Sequence, residues 1–369
     1  MSTGSDASVH LADVEPAVST FDTGPAPQQW RRVPEPEESE RWIEHTIGGR
    51  VYRFAQPLTF TPYAATQPCS ARCRFCSENL RDGGAAASLL RPGAKYFEQL
   101  QQALAQLHPV PLSYSLSGLE TTDDPDWCLR LLDTLTQAER AGLRVDERVL
   151  YSNGAGLAGG QGDALLDALV AFGLSWIELS RHHPDATRNQ ALMRFRPGEV
   201  VADASAFTAL TQKLVMRLPL RLVCLLQRGG VDDADGVADY LRWARTLGAD
   251  TVIFREFSRL DPRYRDNATR RYIDSARVDM ATLLDACRRT PWWSSLNAET
   301  VTRGYYFDNL RLRDAGGMQV VFEASDYARM HARHASGAVY KLVFFPDGRL
   351  CAGWNPDQLL LWEAGDGQP

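Results

Sequence analysis

Long apolar runs are missing from this chain of 369 residues, and with them the stretch of about 18 or more that a membrane-spanning helix needs. Basic tracts are missing too. The 40 Lys and Arg and 46 Asp and Glu are interspersed, for a net charge of −6, so the chain has no phosphate-neutralising footprint and neither tRNA nor rRNA is an expected substrate. Neither nucleic acid nor membrane is an expected partner. No secretory signal pattern opens the sequence, and the seven cysteines are an odd number in a large domain. A disulfide framework is therefore not expected, and a reducing cytoplasm is the expected compartment.

What is present is the run Cys69-Ser-Ala-Arg-Cys73-Arg-Phe-Cys76. A closed structural zinc site takes four ligands, and nothing near this run supplies the fourth. Three thiolates at C-x3-C-x2-C spacing on one loop can hold three corners of a [4Fe–4S] cluster and leave one iron open to a second molecule. Scattered core thiols would follow helical or strand periodicity instead of clustering behind Pro68 with Arg72 and Arg74 interleaved.

Residues 1–41 read as a disordered acidic, Pro-rich tail, with Pro34-Glu-Pro-Glu-Glu-Ser-Glu unable to bury apolar area. Thr46 to Phe54 reads as a hairpin turning at Gly48-Gly49. Strand and helix then alternate: a first strand near Leu58–Phe60, helix 96–107, strand 111–117, helix 125–141 stopped by Gly142, strand 148–152, helix 163–172, strand 174–180, helix 186–194, strand 218–226, helix 234–247 and strand 251–257. Repeated βα units with apolar strands predict an α/β fold with a parallel sheet. Residues 42–290 form this part, and 291–369 read as a C-terminal β-containing cap with a Pro346-Asp-Gly-Arg turn.

The cysteine spacing, with Phe75 ahead of the third cysteine, resembles the radical S-adenosylmethionine (radical SAM) enzymes. That resemblance covers roughly Leu58 to Phe257. It implies a partial (β/α)6 barrel, a [4Fe–4S] cluster on Cys69, Cys73 and Cys76, and SAM chelated by the open iron. A small-molecule substrate and a one-electron donor such as flavodoxin or ferredoxin would be the partners. Chemistry in parallel α/β folds collects at the C-terminal ends of the strands. There the resemblance puts Gly118 and Glu120 on the SAM amino group, Ser152 and Asn153 beside cluster and methionine, and Ser180 and Arg181 at ribose and carboxylate. Glu256 or its neighbour Arg255 would approach SAM or substrate. The plain alternatives are a glycine turn at Gly118, an Asn-Gly turn at 153–154 and a surface ion pair at 255–256. His182 and His183, being adjacent, point different ways and do not make a two-histidine metal site.

Cys128, Cys224 and Cys287 fit core packing. Cys351 stands alone in the cap, which argues against an auxiliary cluster and leaves it as either a packed thiol or a catalytic hydrogen donor. The expected function is reductive cleavage of SAM to a 5′-deoxyadenosyl radical, which abstracts hydrogen from a small polar metabolite in natural-product biosynthesis. The outcome would be epimerisation, dehydration, deamination or rearrangement. A peptide-modifying radical SAM enzyme and a non-catalytic iron–sulfur protein are the competing readings.

Overall fold

The protein is described from a computed structural model, over residues 31–32, 41–63, 65–80, 91–260, 262–355 and 359–364. The expected acidic tail lies outside the described residues except for Arg31–Arg32, a short strand β1, and Arg41 at its end. Strands β2 (Trp42–Ile47) and β3 (Arg50–Pro62) form the expected hairpin, with Gly48 and Gly49 at φ +57° and +79° in the left-handed region that the two-residue turn requires. The hairpin's second strand and the first barrel strand, expected as separate segments, are one 13-residue strand.

Then follow α1 (Tyr96–Ala105), β4 (Leu112–Leu116), α2 (Pro125–Arg140), β5 (Val145–Ser152), the single turn α3 (Ala155–Ala158), α4 (Gly162–Phe172), β6 (Trp176–Ser180), α5 (Ala186–Met193), α6 (Ala204–Val215), β7 (Leu220–Leu226), α7 (Ala234–Thr246) and β8 (Thr251–Glu256). After these come α8 (Ala268–Ala276), α9 (Met280–Arg288), β9 (Asn297–Arg303), β10 (Phe307–Arg313), β11 (Gln319–Ser325), α10 (Tyr327–Ala335), β12 (Val339–Phe344), β13 (Arg349–Ala352) and β14 (Leu360–Glu363). Short polar side chains begin most of the long helices. Asp124, Asp185, Asp203, Asp233, Asn267, Asp279 and Asp326 each accept from a backbone N–H in the first turn, a cap worth about 1 kcal/mol. Gly142, at φ +108°, follows α2 as the expected stop.

Strands β3 to β8 run parallel in chain order, as expected of six βα units. Two strands from the C-terminal segment flank them in the same direction, β11 beside β8 and β12 beside β3. Beyond β11 the sheet continues through β10 and β9 to β1, and beyond β12 through β13 to β14; among the described residues no pairing joins these two ends, so the barrel is open. Aromatic rings occupy that side: Tyr305 stacks on Tyr340 at 5.2 Å, and Tyr340 meets Trp42 edge-on at 5.5 Å.

Strand alternation sorts the side chains. Phe60, Leu116, Leu150, Ile177, Leu222, Phe254 and Phe322 are fully buried between sheet and helices, each contributing about 1.5–3 kcal/mol relative to exposure. The opposite faces of the same strands, inside the barrel, carry Val223, Ile253 and Val321 as a small apolar layer, flanked by Glu178, Arg255 and Glu323. Among the described residues no helix is long and apolar enough to cross a membrane.

Candidate active site

The cysteine loop leaves the C-terminal end of β3 and is pinned from two sides. On one side it forms an irregular ribbon with the segment after α5: Arg72 N–H donates to the Met193 carbonyl (3.1 Å), Arg74 N–H to Leu192 (3.1 Å), Arg196 N–H to Ser70 (2.9 Å), and Ala71 bridges Phe195. On the other, Ser70 N–H donates to Asp123 Oδ2 at 2.6 Å. Alternation along the ribbon turns Ala71 and Cys73 inward and leaves Arg72 and Arg74 exposed.

Cys69, Cys73 and Cys76 are half-buried and form no disulfide. Cys69 Sγ accepts N–H bonds from Ala71 (3.4 Å) and Asn153 Nδ2 (3.5 Å). Burial, reinforced by Glu120, pushes the Cys69 thiol up to about 12, and burial together with the other two thiols raises Cys73 well above the ordinary thiol range. A cationic centre is what would hold such buried sulfurs as thiolates. Among the described residues no three His, Cys, Asp or Glu side chains converge as a site for one metal ion. Three thiols spread around one loop, with two N–H donors aimed at the Cys69 sulfur, fit a multi-iron cluster.

Behind the loop lies a buried polar frame. Glu120, 3% exposed, accepts from Asn153 N–H (2.6 Å), Ser152 Oγ (2.9 Å), Thr122 Oγ1 (2.5 Å) and Thr122 N–H (3.2 Å). It thereby ties the end of β5 to the turn after β4. Burial, with Asp123 adding to it, raises its pKa to about 7. Asn153 Nδ2 also donates to Ser70 Oγ at 2.9 Å, linking this frame to the cysteine loop. Gly118, at φ +96°, could carry no side chain: a Cβ would lie 2.0 Å from Tyr63 Cδ2. Tyr63 in turn donates to Glu78 Oε2 at 2.7 Å, two residues past Cys76.

The expected site residues therefore divide. Cys69, Glu120, Ser152 and Asn153 are brought together by hydrogen bonds, and Gly118 stands in the turn before Glu120 against Tyr63. Phe75 sits beside them, edge-on to the His182 ring at 4.8 Å and near Phe257 at 5.8 Å. Ser180, half-buried, ends β6 opposite Val223. Arg181 does not face the interior. Its guanidinium lies over the Phe207 ring of α6 at 4.6 Å and donates to the carbonyls of His183 (3.2 Å) and Val201 (3.4 Å). Adjacent strand residues point to opposite faces, and Ser180 takes the inner one. Glu256 likewise turns out to the helical layer, where it pairs with Arg277 just after α8. Its neighbour Arg255 points inward and pairs with Glu323 and, at 3.6 Å, Glu178. Burial and the adjacent Arg255 and Arg181 push His182 down to about 3, so the ring is neutral, its Nδ1 accepting from Leu225 N–H at 3.0 Å. Cys351 is fully buried on β13 against Tyr63, Val343 and Phe345.

Sequence reasoning overlooked Ser70, Thr122, Asp123 and the two carboxylates, Glu178 and Glu323, that flank Arg255. Ser70 lay inside the cysteine motif, and Thr122 and Asp123 followed Glu120 directly; Glu323 comes from a distant strand and gave no local signal.

An open parallel barrel with a three-cysteine loop after its first strand defines a fold of the radical SAM type. The fold is shared with SuiB of Streptococcus suis: the crystal structure of SuiB bound to S-adenosylmethionine superposes with a TM-score of 0.50 at 14% identity, over 85% of this chain and 64% of that one. SuiB bound to the precursor peptide SuiA gives a TM-score of 0.38 at 17% identity over 54% and 39% of the chains, and native anSMEcpe with bound AdoMet gives 0.41 at 15% over 54% and 52%. This chain thus spans less than two thirds of each of these proteins. No protein-family model matches it, and neither does any curated protein.

Proposed function

We propose that this protein is a radical SAM enzyme that binds a [4Fe–4S] cluster through Cys69, Cys73 and Cys76 and cleaves SAM reductively. The observation that carries the reading is the cysteine loop held by Asn153 and Ser70 over the Glu120 frame, at the C-terminal ends of parallel strands. When bound, reduced cluster and SAM supply a 5′-deoxyadenosyl radical able to take hydrogen from an unactivated C–H bond.

The chain's own residues do the positioning. Glu120 fixes Ser152 and Asn153, and Asn153 orients Cys69 and Ser70. Phe75 packs edge-on against the buried, neutral His182 ring and fixes the loop on that side. Gly118 lets the backbone approach a ligand where any side chain would strike Tyr63.

A polar substrate fits the barrel interior, because Glu178, Arg255 and Glu323 stand there with the Tyr151 phenol within their electrostatic reach. Glu178 Oε2 is buried without a hydrogen-bond donor. A small polar metabolite is the first reading. A peptide side chain bearing a polar group is the second, favoured by the complex of SuiB with its precursor peptide. Anaerobic incubation with SAM, dithionite and candidate substrates in deuterated buffer, followed by mass spectrometry of 5′-deoxyadenosine and product, tests the proposal. Substrate-dependent 5′-deoxyadenosine is the expected result; none with any candidate, in cluster-loaded protein, would contradict it.

A further inference from the structure

The outer face of the cysteine loop carries a charge pattern that the chemistry inside the barrel does not use. Arg72 and Arg74 alternate with the cysteines and are exposed, and Arg194 is exposed on the segment paired to them. Arg74 lies over the Tyr272 ring at 4.1 Å, and the Tyr272 hydroxyl donates to Gln227, next to exposed Arg228. Both Arg74 and Arg194 are close enough to act electrostatically on Tyr272. Among the described residues none of Arg72, Arg74, Arg194 and Arg228 has an ion-pair partner, whereas many of the protein's other arginines do. Four unpaired guanidinium groups thus gather on one face of a chain whose net charge is −6. The neighbouring cleft of about 340 Å³, on the loop's flank, is not part of this patch, because Arg196 there stands with Asp123 and Glu199.

We infer that this face is the docking surface for a small acidic one-electron carrier protein, with Arg72, Arg74, Arg194 and Arg228 as its contact charges. The inference rests on the cluster reading above. Complementary charge steers association and orients it. The position decides what is being steered: the arginines share the loop with the cysteines, so a protein seated on them is separated from the cluster ligands by that loop alone. A substrate must instead reach the barrel side. The step is a single electron transfer, in which a carrier flavin hydroquinone is oxidised to the semiquinone and the oxidised cluster is reduced by one electron.

The test uses the full-length, anaerobically reconstituted protein with an acidic flavodoxin as probe. Stopped-flow absorbance of the semiquinone gives the cluster reduction rate, calorimetry gives binding, and dithionite serves as a small reductant that needs no docking. The charge-reversed variant Arg72→Glu/Arg194→Glu/Arg228→Glu leaves the Arg74–Tyr272 contact in place, and a milder Arg72→Gln/Arg194→Gln variant covers any loss of folding in the first. The expected result is a parent rate that falls about tenfold or more as salt is raised from 0.05 to 0.5 M, where screening lengths shrink to a few ångströms. Charge reversal lowers the low-salt rate at least tenfold and the milder variant several-fold, with dithionite reduction unchanged in both. Flavodoxin rates indifferent to salt and to all these charges, in protein that dithionite reduces normally, would overturn the docking surface and leave the cluster reading intact. Protein that retains no iron would overturn both. Salt-dependent binding of a polyglutamate peptide or single-stranded DNA at this face, with none of flavodoxin, would overturn the carrier assignment in favour of a different partner.

Discussion

Glu120→Ala is the sharpest perturbation of the frame behind the cysteine loop. It strands four donors: the backbone N–H groups of Thr122 and Asn153 and the hydroxyls of Thr122 and Ser152. The hydroxyls rotate to other acceptors, but the two N–H groups cannot. Each buried unsatisfied donor costs about 1–3 kcal/mol, so a loss of about 2–6 kcal/mol is expected. A second effect opposes it. Burial raises the Glu120 pKa from 4.5 to about 7, which means that the folded state holds a proton the unfolded state has released. The stability contributed by that proton is full below pH 4.5 and is lost as pH rises through 7, a change of roughly 3 kcal/mol. The alanine variant has no such titration. Its destabilisation relative to the parent is therefore largest near pH 5 and smaller by roughly 3 kcal/mol at pH 8. Urea unfolding followed by circular dichroism at the two pH values measures this directly. Equal destabilisation at both, or none at pH 5, would refute the reasoning.

Cys69→Ala, Cys73→Ala and Cys76→Ala should each abolish cluster retention by iron and sulfide analysis, because three ligands are the minimum this loop supplies; full iron in any of them would remove that residue from the ligand set. Gly118→Ala should cost about 2–4 kcal/mol in chemical denaturation, since its Cβ would collide with Tyr63 at a positive φ; an unchanged midpoint would show that the turn is not so constrained. His182, held near 3 by burial, contributes stability present above the unfolded pKa of 6.5 and lost as pH falls towards 3, roughly 2 kcal/mol between pH 6.5 and 5. His182→Gln should flatten the acid limb of melting temperature against pH, and parallel limbs in parent and variant would contradict this. Cys351→Ser should keep full iron and normal product with a small loss of stability, as its burial against Tyr63 suits a packed thiol; SAM cleavage without the normal product would assign it the hydrogen-donor role.

The cysteine loop was legible because its chemistry is local: three ligands in eight residues need no knowledge of distant strands. The six parallel strands followed from apolar runs between helical segments. Helix α6 went unread although its signal was present, with Asp203 as cap and Phe207, Leu210 and Leu214 at helical spacing. Strand parity was available for Ser180 and Arg181, and for Arg255 and Glu256, but which member faces inward depends on where each strand begins its pleat against its neighbours. That choice placed Arg181 over Phe207 and Glu256 beside Arg277. The pairing of β11 with β8 and of β12 with β3 was not readable at all, because a hydrophobic run announces a strand and not its partner. Glu323, which joins Arg255 and Glu178 only through that pairing, was hidden for the same reason.

The central claim is tested most directly without any substrate. Anaerobically reconstituted protein, reduced and given SAM, is analysed for iron, by electron paramagnetic resonance and for 5′-deoxyadenosine. The account predicts roughly four irons per chain, a reduced-cluster signal that changes when SAM is added, and slow formation of 5′-deoxyadenosine that Cys73→Ala abolishes. A loaded cluster whose signal ignores SAM and which yields no 5′-deoxyadenosine would contradict it.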